Sequence, residues 1–134
     1  MKIWTSGKKG TLAAAASALT GSYVTHGGVI SCGGYDQLAL LIAYTQGDET
    51  QIDFRIQFSD VLDFTTAYER IYANVGGTGV QDCLSTEYKR TTAGNIEVPV
   101  STGRWPYFRV QFKATGGTPT GTFAALYNLT NVER

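Results

Sequence analysis

The stretch Thr50–Asp60, TQIDFRIQFSD, constrains the fold more than any other part of the chain. Its apolar residues, Ile52, Phe54, Ile56 and Phe58, occupy every second position, with Gln51, Asp53, Arg55 and Gln57 between them. Successive side chains of an extended strand point to opposite faces, so this pattern predicts a β-strand with one buried and one wet face. A helix would scatter the same four residues around its circumference. The preceding stretch, Tyr35–Thr45, is apolar almost without a break from Leu38 to Tyr44, as a strand covered on both faces would be. Gln46-Gly47-Asp48-Glu49 separates the two, a short polar loop suited to a hairpin. The pair predicts a central strand hydrogen-bonded to a half-exposed neighbour.

The rest of the chain repeats this grammar. Ser22–Cys32 reads as a strand interrupted by a bulge or bend at Gly27-Gly28. Phe64–Asn74 fits a helical face through Phe64, Tyr68, Ile71 and Tyr72, with Asp63 as N-cap, or a strand; its neighbours favour the strand. Asp82–Thr92 reads as a polar, exposed strand after the glycine loop at 76–79. Asn95–Ser101 alternates Ile96, Val98 and Val100, and Pro99 confines it to a sheet edge or a bulge. Arg104–Thr115 alternates Phe108, Val110, Phe112 and Ala114, and Thr122–Thr130 alternates Phe123, Ala125, Tyr127 and Leu129. Short strands separated by tight turns predict an all-β fold, an antiparallel β-sandwich of about eight strands with a jelly-roll-like arrangement. Residues 21–134 are assigned to the sandwich, and residues 1–20 to an N-terminal arm with an alanine-rich lead-in. Thr11–Leu19 is left between an extended edge and a single helical turn. Ile3 and Trp4, set among polar residues and glycines, predict an arm that anchors on a partner.

Composition narrows the function classes. Formal net charge is zero, which argues against a counterion-releasing nucleic-acid binder or a polybasic membrane anchor. No stretch approaches the ~20 apolar residues that span a bilayer. Lys2, Lys8 and Lys9 ahead of Leu12–Leu19 imitate an export signal, but the apolar part is short and Gly7 and Gly10 interrupt it, so intracellular synthesis is expected. Cys32 and Cys83 read as buried small hydrophobes, and with the single histidine, His26, they fall short of a structural zinc set. His26 has no local base or nucleophile beside it and reads as a turn or surface histidine. Asp48 with Glu49, and Asp60 with Asp63, fit turn carboxylates that are solvated or hydrogen-bonded to turn amides better than a glycosidase pair or a calcium cluster. No cofactor, metal or catalytic residue is assigned, and a non-enzyme is expected. Trp105, Tyr107, Tyr68, Tyr72 and Tyr88 offer a second reading, a carbohydrate-binding or adhesion sandwich with stacked sugars, although core or interface packing is the commoner fate of such rings.

Three runs carry a resemblance: Gly34-Tyr35-Asp36-Gln37-Leu38 leading into Ala43–Thr50, Ile56-Gln57-Phe58-Ser59-Asp60, and Arg104–Gly117, RWPYFRVQFKATGG. Their order of strands and turns over about residues 20–130 resembles jelly-roll structural proteins of tailed bacteriophages, in particular head decoration (cement) proteins. The resemblance implies a homotrimer on the outer capsid surface that clamps the major capsid protein or another virion protein, made in the host cytoplasm. On chemistry alone, Ile3, Trp4, Lys8 and Lys9 of the arm and Trp105, Tyr107 and Tyr127 of the aromatic C-terminal strands are the candidate partner or oligomer contacts.

Overall fold

In the computed structural model, eight strand positions form two antiparallel layers. It describes residues 3–4, 7–69, 72–73, 84–85 and 88–133, with side chains over 7–69 and 90–131. In chain order the strands are β1 (Lys8–Ala18), β2 (Val24–Ser31), β3 (Gln37–Thr45), β4 (Gln51–Ser59), β5 (Tyr68–Glu69), β6 (Gly94–Ser101), β7 (Tyr107–Thr115) and β8 (Thr122–Thr130). A short piece, Tyr88–Arg90, pairs with β4 on the same edge as β5. No helix occurs among the described residues. One sheet has the order β6-β3-β8-β1 and the other β2-β7-β4-β5. Every connection except β4–β5 crosses between layers, so the chain winds as a double Greek key, the jelly roll. The all-β, jelly-roll-like sandwich expected from the alternation is the fold observed.

The alternating residues build the core. Leu38, Leu40, Ile42 and Tyr44 of β3 and Phe123, Ala125, Tyr127 and Leu129 of β8 are buried from one sheet. Ile52, Phe54, Ile56 and Phe58 of β4 and Phe108, Val110, Phe112 and Ala114 of β7 are buried from the other. Rings lock the layers together: Phe112 and Phe123 lie 4.5 Å apart across the sandwich, and Phe108 meets Tyr127 edge-on at 5.7 Å. Pro99 sits on β6, an edge strand, where its missing N–H costs no ladder bond. Gly27 and Gly28 both take positive φ, and two extra residues of β2 oppose the Phe108–Val110 stretch of β7, the bulge expected there. Gly27 also lies where a Cβ would come within 2.9 Å of the Leu12 Cα, so a side chain has no room.

Several expectations are corrected. β3 and β4 are not a hairpin; β3 pairs with β6 and β8, β4 with β7 and β5, and Gln46–Thr50 carries the chain from one sheet to the other. Two strands with inward apolar faces pack as well across a sandwich as they would beside each other, and alternation does not distinguish the two. β3 is central in its sheet but covered on one face only: Leu41 is 38 % exposed and Ala43 is exposed. The boundary after residue 20 does not separate an arm from the sandwich. The alanine-rich segment is β1, an edge strand paired along β8, and it contributes Leu12 and Ala13 to the core. Its small side chains let it bulge twice against β8 without crowding. Ile3–Trp4 pairs antiparallel with Val132–Glu133, so the first residues take part in a ladder as well. Of Phe64–Asn74, Tyr68–Glu69 and Tyr72–Ala73 are strand, and Phe64 is a buried loop residue with positive φ. Of Asp82–Thr92, Leu84–Ser85 and Tyr88–Arg90 are strand.

Candidate interaction surfaces

The two outer faces of the sandwich differ in chemistry. On the β2-β7-β4-β5 sheet the residues between the core positions interlock. The Arg55 Nε donates to Gln111 Oε1 at 2.8 Å, and the Arg109 Nε donates to Gln57 Oε1 at 2.7 Å. Gln57 Nε2 passes the chain on to Glu69 Oε1, which also pairs with Arg55 at 3.5 Å, and Gln111 Nε2 donates to the Thr25 hydroxyl. At one end Asp53, 5 % exposed, accepts from Gln51 Nε2 and from the Thr115 hydroxyl. The Arg55 guanidinium and the Lys113 ammonium both lie over the Tyr23 ring, at 4.1 and 4.7 Å, and Arg109 covers the Phe64 ring. The face read as wet is therefore a self-satisfied polar lattice in which Asp53 and Gln57 are buried.

The outer face of the β6-β3-β8-β1 sheet is apolar at its centre. Cross-strand register sets out its rows: Glu97, Leu41, Leu126 and Thr11 in one, with Pro99, Ala39, Asn128 and Lys9 in the next. Leu41 and Leu126 are direct neighbours, 38 % and 47 % exposed, and Ala43 and Ala124 continue the stripe. The signal was present in the unbroken apolar run of β3, which was read as burial within the chain.

The candidate contacts do not converge on one site. Lys8 donates its ammonium to the Ser31 carbonyl at 3.1 Å, tying the edge of one sheet to the edge of the other. Lys9 is exposed at the margin of the apolar face. Trp105 is half-buried at one end of the sandwich, packed on the core and stacked with Tyr68 at 4.8 Å, so one face of its indole is occupied. Tyr107, also half-buried, lines an open groove with Asp60, Val61, Leu62, Asp63 and Thr65, where Leu62 is 63 % exposed. Tyr127 is corrected from a surface contact to a core residue: it points inward on β8, 7 % exposed, against Phe108. The side chains of Ile3 and Trp4, and of Tyr72, Tyr88 and Cys83, lie outside the described residues.

Two titratable groups, Glu49 and His26, sit where sequence did not place them. Glu49, read as a turn carboxylate either solvated or hydrogen-bonded to turn amides, is the amide-bonded kind and only 2 % exposed. It accepts from the Tyr44 hydroxyl, the Gly47 amide and the Gly121 amide, each at 2.6 Å. Burial pushes its carboxyl up, but these donors together outweigh that and hold it below the ordinary range. Tyr44 is pushed the other way by burial and by the carboxylate it faces. His26 is in strand β2 rather than a turn, its ring edge-on to Phe112 at 5.6 Å and Phe123 at 4.9 Å, and burial lowers its basicity. Cys32 is fully buried as expected; it donates to the Trp105 carbonyl, and burial, partly offset by Lys8, raises its thiol to about 11.

No family model and no curated protein matches the chain. Among solved structures, it is similar to the SPBc2 prophage-derived protein YomS, at TM-score 0.56 and 13 % identity, over 98 % of this chain and 96 % of that one. A Tobacco streak virus coat protein aligns at TM-score 0.41 and 9 % identity, over 93 % of this chain and 85 % of that one. The first of these likenesses is one of fold.

Proposed function

We propose that this chain is a virion structural protein of a tailed bacteriophage, and specifically a decoration (cement) protein. It binds coat subunits on the outer surface of the head and acts there as an oligomer, without catalysis. The observation that carries the reading is the likeness of fold, over nearly its whole length, to a prophage-derived protein. The interlocked polar lattice on one sheet and the ring-locked core suit a rigid body that adds interface area between coat subunits. Each bound copy would stabilise the shell by mass action, in proportion to its preference for the assembled head. The exposed Leu62 loop, beside Tyr107, is the contact surface of this reading that faces solvent. The test is co-sedimentation of the purified protein with expanded, DNA-free heads of the phage that encodes it. Saturable binding supports the reading; no binding, together with capture on a glycan array, favours the carbohydrate-binding alternative.

A further inference from the structure

We propose that the outer face of the β6-β3-β8-β1 sheet is covered by the same face of a second copy of this chain, about a twofold axis parallel to the strands between β3 and β8. The inference is drawn from this surface and does not depend on the decoration reading.

β3 is apolar on both of its faces, yet the fold covers only the one carrying Leu38, Leu40 and Ile42. On the other, Leu41 and Leu126 stand side by side, and the alanines Ala39, Ala43 and Ala124 around them leave the surface low. A second sheet can therefore approach to the usual spacing of about 10 Å with the leucines between the layers. The charges select how it approaches. Glu97 lies on one margin, on β6, and Lys9 on the opposite margin, on β1, one row along. An axis parallel to the strands lays β6 of each copy over β1 of the other and Leu41 over Leu126. Glu97 then faces Thr11, with Lys9 about 7 Å along the strand, inside the reach of a lysine. The contact is made twice, once at each margin. An axis across the strands would instead lay β6 on β6 and β1 on β1, gathering the glutamates at one margin and the lysines at the other, which repels.

The face is about 19 Å wide, from four strands, and about 30 Å long, so a pair buries about 1,200 Å² in total. That is the lower end for a specific interface and gives a reversible dimer. It assigns two copies where the resemblance implies three.

Sedimentation velocity from about 1 to about 500 µM should show a monomer–dimer equilibrium. Leu126→Glu should leave a folded monomer throughout, since the side chain is already half in solvent. Glu97→Lys and Lys9→Glu should each weaken the dimer about tenfold, corresponding to about 1.4 kcal/mol. The double exchange should restore it to within about threefold of the parent. A monomer or a trimer in the parent protein, a dimer indifferent to Leu126→Glu, or a double exchange that restores nothing would each overturn the proposal.

Discussion

Replacing Glu49 by glutamine changes one oxygen to an amide and should destabilise the fold by about 3 kcal/mol. Oε2 of the carboxylate accepts from Tyr44 and Gly47, and Oε1 accepts from Gly121. Two of the loops that connect the sheets at this end, 46–50 and 116–121, are pinned through it. A glutamine keeps one acceptor, so its NH₂ must face a buried N–H donor. One unsatisfied buried donor costs about 1–3 kcal/mol, and the surviving bonds lose the extra ~1 kcal/mol that charge lends each. In a domain of this size ~3 kcal/mol lowers Tm by about 10 °C. Urea denaturation at neutral pH should show a lower midpoint with an unchanged slope. The pH dependence supplies a second, independent reading. The carboxyl is held below its ordinary 4.5 in the folded state, so its contribution is fully present above that value and is lost as pH falls through the lower, folded value. The gap between parent and Glu49→Gln should therefore close in acid. A variant within about 0.5 kcal/mol of the parent at neutral pH, or a gap unchanged at about pH 3, would refute the reasoning.

Other outcomes follow from the same structure. Phe112→Ala empties a site at 1 % exposure among three rings, His26, Phe54 and Phe123, and should cost about 3–5 kcal/mol in a chemical melt. Gly27→Ala combines φ +79° with a Cβ 2.9 Å from the Leu12 backbone and should cost about 1–3 kcal/mol in the same assay. His26 is less basic folded than its ordinary 6.5, so stability should fall as pH drops through that value, and His26→Leu should remove this segment of the curve. Peptide mapping after thiol labelling should find Cys32 unmodified in the native protein and labelled in urea, because it is buried with a thiol near 11.

The sequence carried the fold through period-two patterns. β7 and β8 were legible residue by residue because each has one covered face, β4 because its second face, though largely covered, is polar, and Pro99 marked an edge or a bulge. Pairing itself was not legible: the β3–β4 connection has hairpin length and composition, yet Glu49 inside it is the group that fastens two sheets. β1 was obscured for the opposite reason. Alanines suit helix, strand and linker alike, and only the waiting edge of β8 decides among them. On the surface, Lys9 is exposed, as its charge requires. Tyr127 was misplaced because an aromatic ring serves a core as well as a contact, and its inward parity on β8 settles which. The apolar outer face of β3 was visible as a pattern but assigned to cover within the chain. An apolar run states that a face seeks cover and leaves open whether the same chain supplies it.

Quantitative mass spectrometry of purified virions, paired with antibody labelling of intact particles, decides whether this chain has the proposed structural place on a phage head. The chain should be present in many copies per particle, with label distributed over the head. Its absence from washed virions, or label confined to the tail, would contradict the decoration role.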